Sequence, residues 1–320
     1  MVTSEVDRAP VSRAHSPSWR KRDILLSAIA LAMAGLLAGH RLVPNVRGLG
    51  SLVDSIAPFL GVGVPVLLVC ALVLRSRLVL AATLVPALVW LGLFGVAWLP
   101  DGGGGPVDLR VASQNISADN PEPLATVDAL VATRADVIAL QEVPDEMWNQ
   151  VAAGLSAQYP FRTAKSTVAL WSRYPIRYTV GVDTGLAWTR ALRADVATPH
   201  GDIVVYVVHL GSARAGDTAT RDHTVEVLAE KLRQETASRV ILLGDLNTAT
   251  TDRVMDPLVQ LLHDAQADAG RGLGFTWPAP LPITRPDHVL YRGVTAESAE
   301  VIQTPGSDHR AVIAGFRLQG

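Results

Sequence analysis

The sequence predicts an α/β domain of two packed sheets flanked by helices, preceded by three transmembrane helices. Three observations lead to this architecture. Within the first hundred of 320 residues, three long stretches carry no charged side chain. The rest of the chain mixes βα units with runs of consecutive strands, which favours two packed sheets over one doubly wound parallel sheet. Several of those strands also begin or end at an acidic or amide residue.

The uncharged stretches lie at residues 24–39, 55–74 and 78–99. The second and third approach the ~20 residues that a helix needs to cross a ~30 Å hydrocarbon core, and the first is adequate with its flanks. A cleaved signal peptide is the alternative for the first stretch, because a basic segment precedes an apolar one. Two more stretches follow and no small-residue cleavage site stands out. We therefore predict a three-helix transmembrane anchor over residues 24–100.

Lys and Arg near the predicted helices indicate their orientation. The leading segment holds five such residues, against Arg41 and Arg47 in the first loop. Because cytoplasmic segments carry an excess of Lys and Arg, we expect residues 1–23 to be a cytoplasmic tail. Three crossings then make the chain a multi-pass protein of the cell membrane, and they place everything after Pro100 outside the cytoplasm.

Residues 101–106, which read DGGGGP, predict a flexible linker. The linker is short, so we expect the domain at residues 107–320 to work next to the bilayer. The single cysteine, Cys70, lies in the second apolar stretch. The domain must therefore be stable without disulfides, which a chain of this length achieves by burying a core.

Hydrophobic patterning places the secondary structure of residues 107–320. Strands are predicted at 108–115, 136–141, 167–172, 188–197, 202–209, 239–243, 287–291 and 310–317. Helices are predicted at 121–133, 145–155 and 217–236, the last with Val225, Leu228, Ala229 and Leu232 at helical spacing. We interpret Arg190 and Arg193, on one predicted strand, as a solvated face and not as phosphate contacts.

Chemically useful side chains recur where these strands begin or end. They are Asn115, Glu142, His209, Asp245, Asn247, Asp287, Asp308 and His309. In an extended chain Asp245 and Asn247 share a face while Leu246 points inward. A turn in which both merely bond nearby backbone is the alternative. Acidic and amide oxygens suit Mg²⁺, Mn²⁺ or Ca²⁺, whereas a domain without cysteine disfavours a structural zinc site.

The charge of the domain argues against one class of partner. From Pro106 onward there are 19 Lys and Arg and 25 Asp and Glu, a net charge of −6. An acidic domain binds nucleic acid poorly unless its surface charge is strongly segregated. We therefore expect nucleic acid to be a poorer substrate than a membrane lipid or lipid-linked phosphate. We make no prediction of the oligomeric state.

The motifs QE, HLGS, GDLN, PDHVL and SDHRAV occur in this order over residues 107–320, with LWSRYPI and TWP between them. This set resembles the endonuclease/exonuclease/phosphatase superfamily, which includes DNase I-like nucleases, neutral sphingomyelinases and inositol polyphosphate 5-phosphatases. The resemblance implies a DNase I-like, four-layered α/β sandwich and a metal-dependent hydrolase of phosphoric esters or pyrophosphates. It makes Glu142 the principal Mg²⁺ ligand, with Asn115 beside it and Asp308 at or near the metal.

The same resemblance implies the catalytic roles. Asp245 would position or deprotonate the attacking water, and Asn247 would hold a phosphoryl oxygen. His309, oriented by Asp287, would contact the phosphate and act in acid/base chemistry. His209 would stabilise the phosphate or the leaving group. The chemistry is consistent with these residue types, because a phosphoester resists attack until its negative charge is neutralised and water is activated.

Three predicted spans followed by such a domain are similar to the teicoplanin-resistance membrane proteins of actinobacteria that produce or encounter glycopeptides. That similarity implies a cell-envelope substrate, such as undecaprenyl pyrophosphate, and a role in glycopeptide resistance. The alternatives are a membrane-tethered nuclease, a sphingomyelinase-like phosphodiesterase and a catalytically silent module that binds an envelope component.

Overall fold

The computed structural model describes residues 20–99, 103–214 and 216–318. The chain divides into two compact units. One contains the described residues up to Ala38 together with Leu60–Val89, and the other contains Gly39–Phe59 and the chain from Trp90 onward. The second unit, called the catalytic unit below, therefore includes a segment from within the predicted transmembrane anchor.

The apolar amino-terminal region is helical. Its helices are α1 (Lys21–Gly39), α2 (Leu49–Leu60), α3 (Gly63–Leu74) and α4 (Arg77–Phe94). With the short turns that follow them, Lys21–Leu42 and Arg77–Trp98 are long and apolar enough to cross a membrane. The bent pair Val46–Leu60 and Gly63–Leu74 provides a third crossing if it counts as one span.

The single helix expected at residues 55–74 is broken. The axes of α2 and α3 differ by 46°, and α3 restarts at Gly63. Pro65 explains the break, because it has no N–H to donate to the carbonyl of Gly61 four residues earlier. The Gly61 carbonyl instead accepts a 3.0 Å hydrogen bond from the N–H of Val64.

A buried polar network ties α2 into the catalytic unit. Arg253 donates to Asp54 from Nε at 2.6 Å and from Nη2 at 3.0 Å, and Asp54 is fully buried. Nearby, Arg221 donates to Ser51 Oγ at 2.6 Å and pairs with Asp252 at 3.0 Å, and Ser51 also bonds Asp252. Breaking a buried ion pair from one side costs about 3–5 kcal/mol, so this network fixes α2 in place.

Twelve strands are described in the catalytic unit. They are β1 (Leu109–Asn115), β2 (Val137–Gln141), β3 (Phe161–Lys165), β4 (Val168–Ser172), β5 (Ile176–Gly181), β6 (Ala191–Thr198), β7 (Gly201–His209), β8 (Val240–Asp245), β9 (His263–Asp264), β10 (Asp287–Arg292), β11 (Thr295–Ile302) and β12 (Ala311–Arg317). The helices are α5 (Pro123–Ala132), α6 (Asp145–Leu155), α7 (Ala219–Gln234), α8 (Asp256–Val259) and α9 (Ala265–Ala269).

The strands form two six-stranded sheets. The first has the order β11-β12-β1-β2-β4-β3, and the second has the order β5-β6-β7-β8-β10-β9. Apolar residues of both sheets make a shared core, while α5 and α6 cover the outer face of the first sheet and α7 covers that of the second. The predicted α/β architecture of two packed sheets between helices, four layers in all, is confirmed.

Strand β8 shows how the sequence produces these layers. Its residues are all buried, and successive side chains point to opposite faces of the sheet. Ile241 and Leu243 enter the core between the sheets, whereas Val240 and Leu242 pack under α7. A strand covered on both faces must be apolar throughout, so its first polar side chain marks the point where it leaves the core.

The segment expected to be a flexible linker is packed at its carboxyl end, while Pro100–Gly102 lie outside the described residues. The N–H of Gly104 donates to the Glu297 carbonyl at 2.9 Å, and the N–H of Gly105 donates to the Glu297 carboxylate at 2.8 Å. A side chain at Gly103 would run into the backbone of Glu297. Glycine is needed at position 103 because the backbone there approaches β11 closely.

Candidate active site

Three predicted site residues lie in one row across the second sheet. His209 is paired in register with Asp245, and Asp245 is paired in register with Asp287. The row crosses the sheet where β7 and β8 end and β10 begins. All three side chains are buried.

The first sheet brings Asn115 and Glu142 to the same place. Asn115 ends β1, and Glu142 follows the last residue of β2. The amide nitrogen of Asn115 donates to Glu142 at 3.1 Å and to Asp245 at 3.0 Å. The site therefore lies between the two sheets, with groups from both.

Two overlapping groups of side chains could hold a divalent cation. Glu142, His209 and Asp245 form one, and Asp245, Asp287 and His309 form the other, with ligand atoms within 4.8 Å of one another in each group. His209 Nε2 lies 3.6 Å from Glu142 and 3.8 Å from Asp245. Carboxylate oxygens suit Mg²⁺ or Mn²⁺, so the carboxylates of both groups fit such an ion.

The other two predicted metal ligands are placed differently. Asn115 presents its amide nitrogen to the carboxylates, and its amide oxygen accepts from the N–H of Ser117 at 3.0 Å. Asp308 is exposed, and its carboxylate accepts hydrogen bonds from the Ser117 hydroxyl and, at 3.1 Å, from Trp277 Nε1. Among the described residues, Asp308 belongs to neither cation-binding group.

The backbone at the site is held in conformations that side chains rarely adopt. Ser117, Glu142 and Asn247 have φ of 62°, 57° and 50°. Such left-handed residues persist only where the surroundings hold them, and they cluster at functional sites. Gly244 has φ of +145°, and a side chain there would collide with the carbonyl of Val208 on β7. The glycine that precedes Asp245 is therefore required for β7 and β8 to meet.

His309 is held by a buried carboxylate. Its Nδ1 lies 2.8 Å from Asp287 Oδ2, which also accepts a 2.6 Å hydrogen bond from the Thr276 hydroxyl. Burial lowers the pKa of His309, but the charge and hydrogen bond of Asp287, with the charges of Asp245 and Asp308, raise it to about 10. His309 is thus an imidazolium at neutral pH.

The pKa values of Asp245 and His209 shift in opposite directions. Burial, followed by the charge of Asp287, raises the pKa of Asp245. Burial lowers the pKa of His209, and the charges of Arg190 and His309 lower it further. A carboxylate with a raised pKa is a better base, and a neutral imidazole can donate one hydrogen bond without adding charge.

Asn247 lies in a turn directly after β8. Its backbone N–H donates to Asp245 Oδ1 at 2.8 Å, and its amide nitrogen donates to the carbonyl of Leu210 at 3.2 Å. The sequence allowed a turn in which the Asn247 side chain bonds nearby backbone. Its contact with the Leu210 carbonyl is of that kind. Asp245 takes part in the turn with one oxygen and faces Asn115 and His209 with the other.

Arg190 is a site residue that the sequence interpretation missed. It is half-buried, its guanidinium stacks over Trp188 at 4.9 Å, and it donates to the Leu210 carbonyl at 3.2 Å. Burial lowers the pKa of Arg190, and the charges of Asp245 and Glu142 raise it. The expected solvated face is therefore wrong for Arg190. The missing information was strand pairing, which sets the Arg190 carbonyl 2.9 Å from the N–H of His209.

Arg193, three residues later, has a structural role instead. It donates to Glu235 at 2.6 Å and to Asp195 at 2.7 Å. Both carboxylates neutralise the guanidinium locally, so Arg193 is not free to bind a phosphate. Of the two arginines, only Arg190 lies close to the site.

Comparison with protein families gives one match over most of this region. The model of the Endonuclease/Exonuclease/phosphatase family matches residues 112–309, more than half of the chain. A UPF0294 protein of Vibrio campbellii (strain ATCC BAA-1116) is 24% identical over 228 residues, which cover 66% of this chain and 78% of the relative.

Solved structures share the fold at low sequence identity. A mannosyl-6-phosphatase of Bacteroides thetaiotaomicron VPI-5482 superposes with a TM-score of 0.56 at 15% identity, over 65% of this chain and 99% of that one. D. rerio TDP2, in complex with a single-strand DNA product, has a TM-score of 0.56 at 19% identity, over 65% and 98% of the two chains. The fold therefore accommodates different phosphate compounds and does not select one.

Proposed function

From the premise that the chain belongs to the Endonuclease/Exonuclease/phosphatase family, we propose that it is a membrane-anchored, metal-dependent hydrolase of a lipid phosphate or pyrophosphate. Members of the family are hydrolases that act on phosphoesters. The observation that carries the proposal is the meeting of Glu142, His209 and Asp245 beside the Asp287–His309 pair. That arrangement supplies both a cation site and acid/base groups.

The residues of the chain divide the chemistry among them. Asp245, whose pKa is raised by burial, orients and deprotonates the attacking water. His309, oriented by its bond to Asp287, donates to the phosphate or to the leaving oxygen. Arg190 and the neutral His209 stabilise the negative charge that builds up on the phosphoryl group.

A divalent cation completes this set. The carboxylates of Glu142 and Asp245 would hold it, with Mg²⁺ as the proposed ion and Mn²⁺ or Ca²⁺ as substitutes. When bound, it supplies Lewis-acid neutralisation of the phosphate. The turn after β8 keeps Asn247 next to Asp245, within reach of a phosphoryl oxygen.

The lipid substrate is supported by the chain's connectivity. Gly39–Phe59 belong to the same compact unit as the site, and the chain on either side of them contains Lys21–Leu42 and Arg77–Trp98, which are long and apolar enough to cross a membrane. We propose three crossings, a cytoplasmic amino terminus and an extracytoplasmic site at the cell membrane. A substrate held in the bilayer then reaches high effective concentration near the enzyme. Undecaprenyl pyrophosphate is the proposed substrate, with a role in teicoplanin resistance.

The second candidate is a membrane-tethered nuclease. It is favoured by one observation, the shared fold with a D. rerio protein crystallised with single-strand DNA product. The net charge of −6 after Pro106 opposes it, because phosphate backbones bind basic surfaces. A sphingomyelinase-like phosphodiesterase is the third candidate and shares the lipid location of the first.

The deciding experiment is metal-dependent hydrolysis by the full-length protein in detergent. Undecaprenyl pyrophosphate, sphingomyelin and plasmid DNA are compared, with Asp245→Ala and His309→Ala as inactive controls. Phosphate release from the polyprenyl substrate that both variants lose is the expected result. Faster cleavage of plasmid DNA, lost in the same variants, would replace the proposal with the nuclease.

A further inference from the structure

A cavity of about 750 Å³ adjoins the catalytic residues. Asn247 and His309 line it at the site, and Val46, Leu49 and Leu52 line it from the start of α2 and the preceding turn. All the lining residues belong to the catalytic unit. The volume lies within the range of ligand pockets in proteins, about 300–1,000 Å³.

On helix α2 polar side chains are buried and large apolar side chains are exposed, the reverse of a helix in a soluble protein. Ser51 and Asp54 are buried, whereas Leu49, Leu52 and Ile56 are exposed by 51%, 57% and 43%. These three leucine and isoleucine positions recur at helical spacing, so they form one stripe. A helix normally buries such a stripe, and an exposed one marks a surface made for an apolar ligand or a lipid.

The wall that α2 contributes is fixed to the catalytic chemistry. Ser51 is held by Arg221 and Asp252, and Asp252 lies five residues after Asn247 on the same loop. Arg221 and Asp252 are almost completely buried, with 2% and 0% exposure. The network anchors α2 and borders the same cavity that Leu49 and Leu52 line.

Charge is distributed to suit an amphiphile. Arg47 and Arg214 line the cavity together with its apolar residues. Trp277, which lines the same cavity and is 39% exposed, bonds Asp308 beside the site. The cavity therefore offers both cations and catalytic groups for a phosphate and apolar side chains for a hydrocarbon.

We propose that this cavity binds the hydrocarbon chain of the substrate, with α2 as the wall that selects for it. The inference rests on the proposed function and deepens it, because it makes the enzyme specific for phosphates or diphosphates that carry a long apolar chain. The phosphate lies between His309 and Asn247, and the first segment of the chain lies along Leu49 and Leu52.

The test is a chain-length series on the full-length protein in lipid nanodiscs. Dimethylallyl, geranyl and farnesyl diphosphate share a head group and differ by one isoprene unit at each step. Since each isoprene unit adds apolar surface that the cavity can bury, kcat/KM is expected to rise at least about tenfold per unit. A parallel series of lysophosphatidic acids with short and long acyl chains separates an isoprenoid cavity from one that accepts any chain.

Substitutions on α2 test the wall itself. Leu52→Gln is expected to flatten the dependence of kcat/KM on chain length, because it replaces an apolar contact of the cavity with a polar amide. Leu52→Trp, which fills the cavity but stays apolar, gives the same flattening through a different physical change. Leu124→Gln on α5 is the matched control, because Leu124 is an exposed leucine of similar accessibility outside the cavity.

The outcomes separate the two proposals. Equal kcat/KM for all three diphosphates, or a Leu52→Gln variant that loses activity equally on all three, would overturn the chain-binding cavity and leave the lipid phosphate hydrolase standing. If the protein hydrolyses no diphosphate or lysophosphatidic acid of any length, the proposed function fails, and this inference fails with it.

Discussion

Asp245 and Asp287 are directly opposite each other on the antiparallel strands β8 and β10, and each is 1% exposed. Two buried carboxylates this close repel each other, and burial with the Asp287 charge raises the pKa of Asp245. His309, bonded to Asp287 at 2.8 Å, supplies the compensating positive charge. The two carboxylates therefore have different roles. Asp287 binds His309, and Asp245 is the carboxylate that would contact the attacking water.

The first prediction concerns this division. Asp287→Asn keeps the shape of the side chain but removes the charge that holds His309 as an imidazolium. We expect kcat to fall by about 100-fold or more, the usual contribution of a positioned acid or base. Thr276→Val, which removes only the hydrogen bond to Asp287, is the graded control and should cost much less. Equal kcat in wild type and Asp287→Asn would remove His309 from the acid/base role.

The second prediction concerns the metal. Glu142→Gln removes a carboxylate charge from the cation group, and the affinity for Mn²⁺ should fall by more than about tenfold, as it does when even a neighbour of a metal ligand is lost. Titration calorimetry with Mn²⁺ alone measures this without any substrate. Glu146→Gln, an exposed substitution on α6, should leave the affinity unchanged. Equal affinities in the two variants would exclude Glu142 as a ligand.

The third prediction concerns Arg190 and Arg193, which we expect to have different roles. Arg190→Ala should lower kcat/KM by roughly 10- to 100-fold, the value of one hydrogen bond to a charged group, while stability changes little. Arg193→Ala should do the reverse, because it leaves Glu235 without its ion-pair partner and so lowers the melting temperature. Steady-state kinetics and thermal denaturation on both variants suffice. A pattern with the two roles exchanged would contradict the placement of Arg190 at the phosphate.

The fourth prediction is a pH dependence of stability. His288 is fully buried, bonds the Thr248 carbonyl at 2.9 Å, and lies near Arg285 and Asp264. Burial, and then the charge of Arg285, lowers its pKa from 6.5 to about 4. Between these values the unfolded chain binds a proton that the folded chain does not, so stability should fall as pH is lowered, by up to about 1.4 kcal/mol per unit.

His288→Gln tests this prediction, because the amide can still donate to the Thr248 carbonyl but does not titrate. Melting temperatures between pH 4 and 6.5 should decline less steeply in this variant than in the wild type. His223→Gln on the exposed face of α7 is the matched control and should follow the wild type. Parallel curves for all three proteins would show that His288 takes up its proton as readily in the folded state as in the unfolded chain.

The strands that the sequence predicts and those that it misses differ in position within the sheets. The eight predicted strands are interior to the two sheets, whereas the four unpredicted strands, β3, β5, β9 and β11, are the four edges. An interior strand is covered on both faces and carries an apolar run, as in β2 and β4, which are buried throughout. An edge strand such as β3 is mostly exposed, and no apolar run distinguishes it from a loop.

The site follows the same logic. His209, Asp245 and Asp287 could be predicted because each is a polar residue at the end of an apolar run, and such a change can be read from the sequence alone. Arg190 does not stand at the end of an apolar run. Its place beside the site comes from the pairing of segments that are distant in sequence. The cavity wall on α2 was equally hidden, because apolar residues before Phe59 are typical of a membrane span whether they face lipid or a substrate.

The tie between Asp54 and Arg253 joins residues 199 positions apart in the chain. A ribosome adds about 5–20 residues per second, so Asp54 waits about 10–40 s for its partner to be synthesised. During that interval α3 and α4 are made, and Asp54 has His40 but not Arg253 as a partner. The catalytic unit is therefore complete only after α3 and α4 have been made. In a chain shortened to start at residue 107, Arg221, Asp252 and Arg253 would lose their partners on α2. One wall of the cavity would also be missing.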